Sequence, residues 1–335
     1  MPSEAPLSGP EPGRGAGVAP YRGARTLGVM NPKVMLVVGC AGLLSAAALV
    51  GETRTQEPAE DLALTPVAGG VGVLQNNFGG NVGVLANAGG SLIVDTNLEN
   101  FQEQFRAAFD AFAGDNPRFV VNTHWHEDHT GNNVLLGGKG VPIVGHEQMR
   151  RRLVGDAGVE GRTGEGIPPA AYPTITYDDD LELHVGDERV VLRHYGPGHT
   201  DGDGIVWFQT SKVLHMGDMF FNGMFPYIDL GSGGNVRGYG AAVAGVLADL
   251  EAQPGGGADW RIIPGHGEVC GLAELKAYHG MLSDCIARVE AALEAGQTME
   301  QLLAGEVLAG YEDWSWRFMT TGKFIEILGT DLAAK

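Results

Sequence analysis

Three histidines and an aspartate fall within six consecutive positions, in the stretch His124-Trp125-His126-Glu127-Asp128-His129. A strand rich in β-branched and aromatic residues is predicted directly before it, over Arg118 to Thr123, and turn and helix-capping residues follow. Loops that join a strand to a helix often carry functional side chains on a rigid scaffold. Imidazole and carboxylate groups without a thiolate suit zinc, with iron or manganese as alternatives. The stretch therefore predicts a metal site rather than a solvated histidine-rich loop.

The spacing of these ligands indicates how they are shared. Side chains alternate between two faces of an extended backbone, so His124, His126 and Asp128 are expected to point the same way. His129 follows where the chain bends towards a helix, and its ring is expected to approach from another side. The pattern favours two neighbouring metal ions over a single one.

Three further segments place a histidine or an aspartate beside glycine at the predicted end of a strand. Their candidate ligands, in chain order, are His199, Asp218 and His266. In a layered α/β protein, the same ends of several strands converge on one rim. We therefore expect these three side chains to join the first cluster.

Two acidic residues are candidates for a supporting role behind the ligands. Asp95 ends the predicted strand Leu92–Asp95, where it either caps the next helix or orients a ligand through a hydrogen bond. Asp203 follows His199 in the same glycine-rich turn and is the second candidate for this role.

An aromatic, non-periodic stretch between Asp218 and the next predicted helix suggests a pocket wall. The candidates for substrate contact are Phe221, Phe225, Tyr227, Asn235 and Arg237. The last two lie near the predicted helix start. There they either bind a substrate oxygen or carboxylate, or act as a helix cap and a solvated charge.

The composition limits the classes of partner. The chain of 335 residues has a formal net charge of −19, and such a surface repels nucleic acid and anionic membranes. Metal binding neutralises too few acidic groups to reverse this sign. A nuclease is therefore disfavoured, and a small-molecule substrate is expected.

The N-terminal 56 residues predict export. Residues 1–29 are rich in Pro, Gly and Ala and are predicted to be disordered. Residues 30–56 contain a charged start at Met30, a short apolar run and small residues, which is typical of a signal peptide with cleavage between about Leu49 and Gln56. Lipid anchoring through Cys40 and an uncleaved membrane anchor are the alternatives. A periplasmic or secreted catalytic domain over residues 57–335 is expected.

The elements around the candidate site are predicted from hydrophobic periodicity. Three short strands before Asp95 are expected to form an antiparallel meander, and an amphipathic helix is expected over 98–112. Later helices are expected over 238–250, 273–295 and 299–308. The aromatic tail with Trp314, Trp316 and Phe318 is expected to pack on the outer face. Cys270 and Cys285 would stand about 20 Å apart along the long helix, so two unpaired thiols are expected.

Taken in chain order, these residues resemble the motifs of the metallo-β-lactamase superfamily. Asp95 resembles the first motif and His124-x-His126-x-Asp128-His129 the second, and the later motifs are matched in turn by His199, Asp218 and His266. The resemblance implies an α/β fold, a four-layer αβ/βα sandwich of two mixed sheets with helices on the outer faces.

The resemblance also implies a division of the ligands between two metals. The first metal would be bound by His124, His126 and His199. The second would be bound by Asp128, His129 and His266. Asp218 would bridge the two ions, with Asp95 and Asp203 behind the ligands.

The expected function is a dinuclear zinc hydrolase in which a metal-bridging hydroxide attacks an ester, thioester, lactone or lactam carbonyl. Asp128 is expected to orient the hydroxide and to pass a proton to the leaving group. Some zinc β-lactamases have a Cys at the position of Asp218 and, shortly after it, a Lys that binds the drug carboxylate. Here Phe221 falls near that Lys, so β-lactam hydrolysis is expected to be weak.

Two other functions are compatible with the same ligands. One is a mononuclear iron oxygenase similar to persulfide dioxygenases, which share much of this ligand set. The other is an exported, non-catalytic binding protein whose metal only stabilises the fold. Metal content and oxygen consumption distinguish the oxygenase from a hydrolase. The absence of turnover distinguishes the binding protein from a hydrolase.

Overall fold

The computed structural model describes residues 64–76, 78–114 and 117–334. The disordered extension predicted over residues 1–29, the signal peptide over 30–56 and the alternative lipid anchor at Cys40 lie outside these residues and remain predictions. Within the described ranges, every helix is too short or too polar to cross a lipid bilayer.

The first sheet has seven strands that lie side by side in chain order. They are β1 (Leu64–Ala68), β2 (Val71–Leu74), β3 (Val82–Asn87), β4 (Gly90–Val94), β5 (Phe119–Val121), β6 (Ile143–His146) and β7 (Ile175–Tyr177). Strands β1 to β4 are antiparallel, which confirms the predicted meander, and β4 to β7 are parallel. Val94 is paired with Val121, so the carboxyl ends of β4 and β5 lie next to each other.

The second sheet has five strands in the order β12-β11-β10-β9-β8. They are β8 (Asp180–Val185), β9 (Glu188–Arg193), β10 (Ile205–Phe208), β11 (Val213–His215) and β12 (Arg261–Ile263). Only β11 and β12 are parallel, and His215 is paired with Ile263. The segments after these two residues leave the sheet together, and Gly265 N–H donates to Gly217 O over 2.7 Å. Because β10 is antiparallel to β11, the loop before β10 reaches the same edge.

Helices cover the outer face of each sheet. The α-helices are α1 (Gln102–Ala113), α2 (Glu127–Thr130), α3 (Asn133–Gly137), α4 (Glu147–Leu153), α5 (Val236–Glu251), α6 (Leu272–Glu294), α7 (Met299–Ala304) and α8 (Thr321–Ala333). Phe105 and Phe109 of α1 pack on the first sheet, and α5, α6 and α8 pack on the second. A separate apolar cluster, which includes Val121 and Val206, lies between the two sheets. The predicted four-layer α/β sandwich is confirmed.

The helix boundaries differ from the predictions at the ends of the chain. Helix α8 was not predicted, because the aromatic residues before it dominate the pattern. The prediction over 299–308 is too long, since α7 ends at Ala304 and is followed by Gly305. Cys270 and Cys285 are both buried and unpaired, as expected.

Candidate metal centre

Seven predicted ligands from distant parts of the chain meet at the edge where both sheets end. They form two groups, and the ligand atoms within each group lie within 4.8 Å of one another. The first group is His124, His126, His199 and Asp218, and the second is Asp128, His129 and His266. The convergence follows from the strand pairings described above, because each ligand lies in a segment that leaves one of the paired strands.

The protonation of the first group follows from its outer hydrogen bonds. His199 Nδ1 lies 2.8 Å from the carbonyl oxygen of Tyr227, and His126 Nε2 lies 2.8 Å from Asp229 Oδ2. Because a carbonyl and a carboxylate only accept, these two ring nitrogens carry the protons of the neutral imidazoles. His199 Nε2 and His126 Nδ1 are then unprotonated, yet they lie 2.9 Å apart. Two facing lone pairs at this distance repel each other unless a cation lies between them.

The second group contains a similar pair of acceptors. His129 Nδ1 lies 2.8 Å from Asp95 Oδ2, so its other nitrogen, Nε2, is unprotonated in the neutral ring. This atom lies 3.1 Å from Asp218 Oδ1. Both atoms are fully buried and have no hydrogen-bond partner within the described residues. Buried polar atoms without partners are costly, and a bound metal would satisfy both of them.

The carboxylate of Asp218 lies between the two groups. Its Oδ1 atom is 3.1 Å from His129 Nε2 and 3.5 Å from His266 Nε2. Its Oδ2 atom is 3.5 Å from His199 Nε2 and 3.9 Å from His124 Nε2. Ligands about 2.0–2.1 Å from a tetrahedral zinc stand roughly 3.3 Å from each other, so these spacings fit two such ions that share one carboxylate.

Charges and burial set the protonation of the ligands. Burial lowers the pKa of His199 to about 4 and also lowers the pKa of His124, which favours neutral imidazoles. Burial alone would raise the pKa of Asp218, but the charges of His129 and His266 hold it well below its usual value. Against burial, Asp218 and Asp128 raise the pKa of His266 to about 9. Against burial, Asp218, Asp128 and Asp95 also raise the pKa of His129, so the carboxylates around the second group favour positive charge there, whether from a proton or from a bound metal.

Asp95 is placed directly behind the second group. Its carboxylate accepts from His129 Nδ1, from Thr123 N over 2.7 Å and from Thr123 Oγ1 over 2.7 Å. Its backbone has a φ of 64°, which is rare for a residue with a side chain. Such local strain is found where function requires a particular side-chain direction, and here it aims the carboxylate at a ligand.

Asp203, by contrast, contacts no ligand. Its carboxylate accepts from the N–H and hydroxyl of Thr200, with Oδ1 lying 2.6 Å from Thr200 Oγ1. The predicted place of Asp203 behind the ligands is therefore corrected. Asp203 closes the turn that follows His199 and acts on the ligand only through the backbone.

Two glycines allow the backbone to approach the ligands closely. A Cβ atom on Gly265 would lie 2.1 Å from Asp218 Oδ1. A Cβ atom on Gly80 would lie 2.2 Å from Cε1 of His129. A larger residue at position 265 would displace Asp218, which lies between the two groups, and a larger residue at position 80 would displace His129 of the second group.

A cavity of about 670 Å³ opens onto the two groups. It is lined by Phe78, Leu98, His126, Glu127, Asp128, Arg162, Asp218, Phe221, Tyr227, His266, Trp316, Arg317 and Phe318. Phe221 and Tyr227 thus lie where a substrate-contacting residue is expected. The ring of Phe221 is stacked on His266 with centroids 5.1 Å apart, which makes this wall apolar.

Three other substrate candidates lie elsewhere. Phe225 is fully buried and stacks on Phe324 of α8, with ring centroids 4.5 Å apart. Asn235 caps α5 by accepting from Gly238 N, and Arg237 pairs with Glu290 on the far side of α5. The prediction is wrong for Phe225, whereas for Asn235 and Arg237 the structure agrees with the alternative of a helix cap and a surface charge. An aromatic residue or a residue at a helix start has the same sequence pattern whether it serves packing, capping or binding.

The expected common direction of His124, His126 and Asp128 is also wrong. His126 is extended, but α2 begins at Glu127, so the alternation ends before Asp128. The helical turn moves Asp128 to the side of His129, where its Oδ2 atom lies 3.5 Å from His129 Nε2. This arrangement agrees with the ligand division that the family resemblance implies.

Several lining and supporting residues were not predicted. Asp229 ends the aromatic stretch, and neither it nor Arg162, which lies in a loop, has a local sequence signal. Trp316 and Phe318 were expected on the outer face and instead line the cavity above the ligands. The sequence shows that Trp316 and Phe318 are aromatic. Which way their side chains point depends on how the C-terminal segment packs against the rest of the domain.

Comparisons with known proteins agree with this geometry. The profile of the family described as the metallo-beta-lactamase superfamily matches residues 76–266, which is more than half of the chain and includes all seven ligands. The beta-lactamase-like protein 2 homolog of Caenorhabditis elegans is 28% identical over 194 residues, covering 57% of this chain and 57% of the relative. A hydroxyacylglutathione hydrolase of Rhodospirillum rubrum is 29% identical over 118 residues, covering 35% of this chain and 39% of the relative.

Solved structures show the same fold. A metallo-beta-lactamase from Pontibacter korlensis superposes with a TM-score of 0.55 at 16% identity, covering 67% of this chain and 99% of that one. At this identity the likeness concerns the fold alone. The alignments with the two curated relatives cover less than two thirds of their lengths. Because the family profile covers the strand ends and every ligand, the chain belongs to the metallo-beta-lactamase superfamily.

Proposed function

We propose that the chain is a dinuclear zinc hydrolase that acts on an ester, thioester, lactone or lactam carbonyl. The observation that carries this proposal is the convergence of seven ligands, in which Asp218 divides its two oxygens between two groups. The names of two relatives, a hydroxyacylglutathione hydrolase and a probable metallo-hydrolase of Bacillus subtilis, support hydrolysis. The metal-dependent activity, the zinc and the substrate class are all part of the proposal.

The bound metals would supply the nucleophile, and Asp128 would orient it and transfer its proton. When bound, two zinc ions would supply a hydroxide nucleophile at neutral pH and stabilise negative charge on the carbonyl oxygen. Asp128 is a partly exposed carboxylate on the cavity wall, 3.4 Å from His266 Nε2. From this position it orients the attacking group and accepts its proton, which it can pass to the leaving group.

The cavity wall argues against efficient β-lactam hydrolysis. A drug carboxylate requires a cation close to the metals, and Phe221 on His266 presents an apolar ring at that side instead. Arg162 lines the cavity, but its guanidinium is paired with the buried carboxylate of Asp229. We therefore expect uncharged esters or lactones to be better substrates than cephalosporins.

The test combines metal analysis with a substrate screen. Metal content per chain is measured on the purified protein by mass spectrometry, and hydrolysis is measured with chromogenic lactones, thioesters, esters and a cephalosporin. Two zinc ions per chain with turnover support the proposal, and Asp218→Ala is expected to lose metal and turnover together. Normal metal content and turnover in Asp218→Ala would exclude the bridging role.

Two other outcomes identify the alternatives. One iron per chain with oxygen consumption would indicate the oxygenase. Full metal loading without turnover of any substrate would indicate a binding protein. Asp249→Asn is the matched control, because this carboxylate accepts from Tyr195 at the surface, away from the cavity, and should leave both measurements unchanged.

A further inference from the structure

The cavity above the metal ligands has an aromatic wall that comes from the C-terminal part of the chain. Trp316 and Phe318 have ring centroids 5.5 Å apart, and Phe318 packs edge-on against Tyr227 at 5.5 Å. Trp316 also lies 6.1 Å from the rings of both His266 and Phe221. The wall therefore extends without interruption from a metal ligand to the mouth of the cavity.

This wall lies outside the part of the chain that matches the family. The match ends at residue 266, whereas the wall is supplied by the segment from Tyr311 to Thr320. The metal ligands thus lie within the family match, and this side of the cavity comes from residues beyond it.

Hydrogen bonds hold the wall in place. Trp316 Nε1 donates to Phe225 O over 2.9 Å, and Phe225 N donates to Trp314 O over 2.8 Å. Trp316 N donates to Met319 O over 3.0 Å, which closes the segment into a turn. Because the polar edge of the indole is already satisfied, the exposed part of Trp316 offers only apolar contact.

The exposure of the rings is concentrated at this cavity. Five large apolar side chains are exposed within the described residues, and the two aromatic ones are Phe78 at 49% and Phe318 at 48%. Both line the cavity, where Phe78 comes from the hairpin between β2 and β3. An exposed apolar patch that adjoins a candidate active site indicates a binding surface for an apolar ligand group.

We propose that Trp316 and Phe318 bind the apolar acyl or aryl group of the substrate and so select for hydrophobic esters or lactones. This inference rests on the proposed hydrolase function and adds the substrate class. The metal ligands at the base of the cavity hold the carbonyl, and the aromatic wall receives the apolar chain attached to it. Of the two arginines that line the cavity, Arg162 pairs with Asp229, and Arg317 lies over the ring of Phe78, with 5.4 Å between its Cζ atom and the ring centroid.

The first test is a chain-length series of 4-nitrophenyl esters from acetyl to decanoyl. Burial of each methylene is expected to raise kcat/KM about three- to fourfold until the wall is covered. Trp316→Ala is expected to flatten this dependence to less than about twofold per methylene, so that its loss of kcat/KM relative to the wild type grows with the length of the acyl chain. Phe318→Ala, at a half-exposed position that tolerates truncation, is expected to reduce the slope partly. An unchanged slope in both variants would overturn the inference.

Leu303→Ala is the matched control. Leu303 is 40% exposed but lies on α7, away from the cavity, so its removal deletes a similar exposed apolar surface without touching the wall. The slope of the chain-length series is expected to equal that of the wild type. A slope that falls equally in Leu303→Ala and Trp316→Ala would show a general effect of surface hydrophobicity and would contradict a specific wall.

A binding measurement separates this inference from the hydrolase proposal. The neutral fluorescent probe N-phenylnaphthylamine is titrated into the metal-loaded protein, with one site per chain expected in the wild type and in Leu303→Ala. Loss of that site in Trp316→Ala supports the wall even if no ester is hydrolysed, in which case only the hydrolase proposal fails. If ester hydrolysis is independent of chain length and the probe does not bind, the aromatic wall does not bind the apolar group of the substrate. The hydrolase proposal would remain intact.

Discussion

His126 and Asp229 form a hydrogen bond behind the metal ligands, with His126 Nε2 lying 2.8 Å from Asp229 Oδ2. Asp229 is buried and also accepts from Ser232 Oγ over 2.6 Å and from the guanidinium of Arg162. Burial alone would raise the pKa of Asp229, but these three hydrogen bonds hold it well below its usual value. An ionised carboxylate thus fixes the tautomer and the ring orientation of His126.

The first prediction concerns this pair. Asp229→Asn removes the negative charge but keeps the shape, and zinc affinity is expected to fall about 10- to 100-fold. The loss should concern one ion per chain, because Asp229 contacts only the first group. Zinc affinity is measured by competition with a chromogenic chelator, with Asp249→Asn as a control of equal charge change. Equal affinities in Asp229→Asn and the wild type would show that Asp229 serves only the fold.

The second prediction concerns the close approach at Gly265. A Cβ atom there would lie 2.1 Å from Asp218 Oδ1, so Gly265→Ala is expected to displace the bridging carboxylate and to reduce zinc content and turnover together. Gly280→Ala is the matched control, since a Cβ atom there meets nothing within 4 Å in the middle of α6. It is expected to retain both zinc ions and to gain about 0.5–1 kcal/mol in the free energy of unfolding. Full zinc content in Gly265→Ala would show that a Cβ atom at this position does not displace the Asp218 carboxylate.

The sequence was sufficient to predict the ligands because their signal is local. Each ligand, such as His266 between two glycines, lies in a short segment that follows a strand, so the residue type and its place in the fold are visible in the same stretch of sequence. Asp229 and Trp316 carry no such signal, and their roles arise only when the chain from 220 to 229 and the C-terminal tail dock on each other. Phe225 and Phe221 differ by four positions in one aromatic stretch, yet only tertiary packing decides that one is core and the other lines the cavity.

A buried chain of hydroxyl groups supports the backbone at Asp218. Tyr239 Oη donates to the backbone carbonyl of Asp218 over 2.8 Å, and Tyr278 Oη lies 2.7 Å from Tyr239 Oη. Since Tyr239 uses its proton on the carbonyl, Tyr278 donates to Tyr239. Both tyrosines are fully buried, so the chain links α5 and α6 to the segment that carries Asp218.

The third prediction follows from this chain. Tyr239→Phe leaves the Asp218 carbonyl without the tyrosine donor and the Tyr278 hydroxyl without its acceptor, and the free energy of unfolding is expected to fall by about 1–3 kcal/mol. The double variant with Tyr278→Phe is expected to lose less than the sum of the single changes, because the hydrogen bond between the two hydroxyls is already lost in either single variant. Urea denaturation measures both. Tyr311→Phe, which removes a partly exposed hydroxyl bonded to Asp284, is the control and should change stability by less than about 0.5 kcal/mol.

If the double variant loses as much unfolding free energy as the two single variants together, the two hydroxyls are not coupled. Zinc affinity gives a second readout that a purely structural role would not change. It is expected to fall in Tyr239→Phe and to remain at the wild-type value in Tyr311→Phe, because only the former loosens the backbone that carries the bridging ligand.

The fourth prediction concerns the pH dependence of stability at Asp203. Burial raises the pKa of this carboxyl to about 7 in the folded chain, from 3.8 in the unfolded chain, although the hydrogen bonds from Thr200 act in the opposite direction. The folded state therefore binds the proton more tightly, and the stabilisation present below pH 3.8 is lost as the pH rises to about 7. The difference in unfolding free energy between the wild type and Asp203→Asn, which cannot titrate, is expected to shift by up to about 4 kcal/mol over this interval and to stay constant above it.

Urea denaturation between pH 4 and pH 8 measures this difference, in which the contributions of all other titrating groups cancel. A difference that does not vary with pH would show that Asp203 is ionised throughout, held by Thr200 rather than governed by its burial.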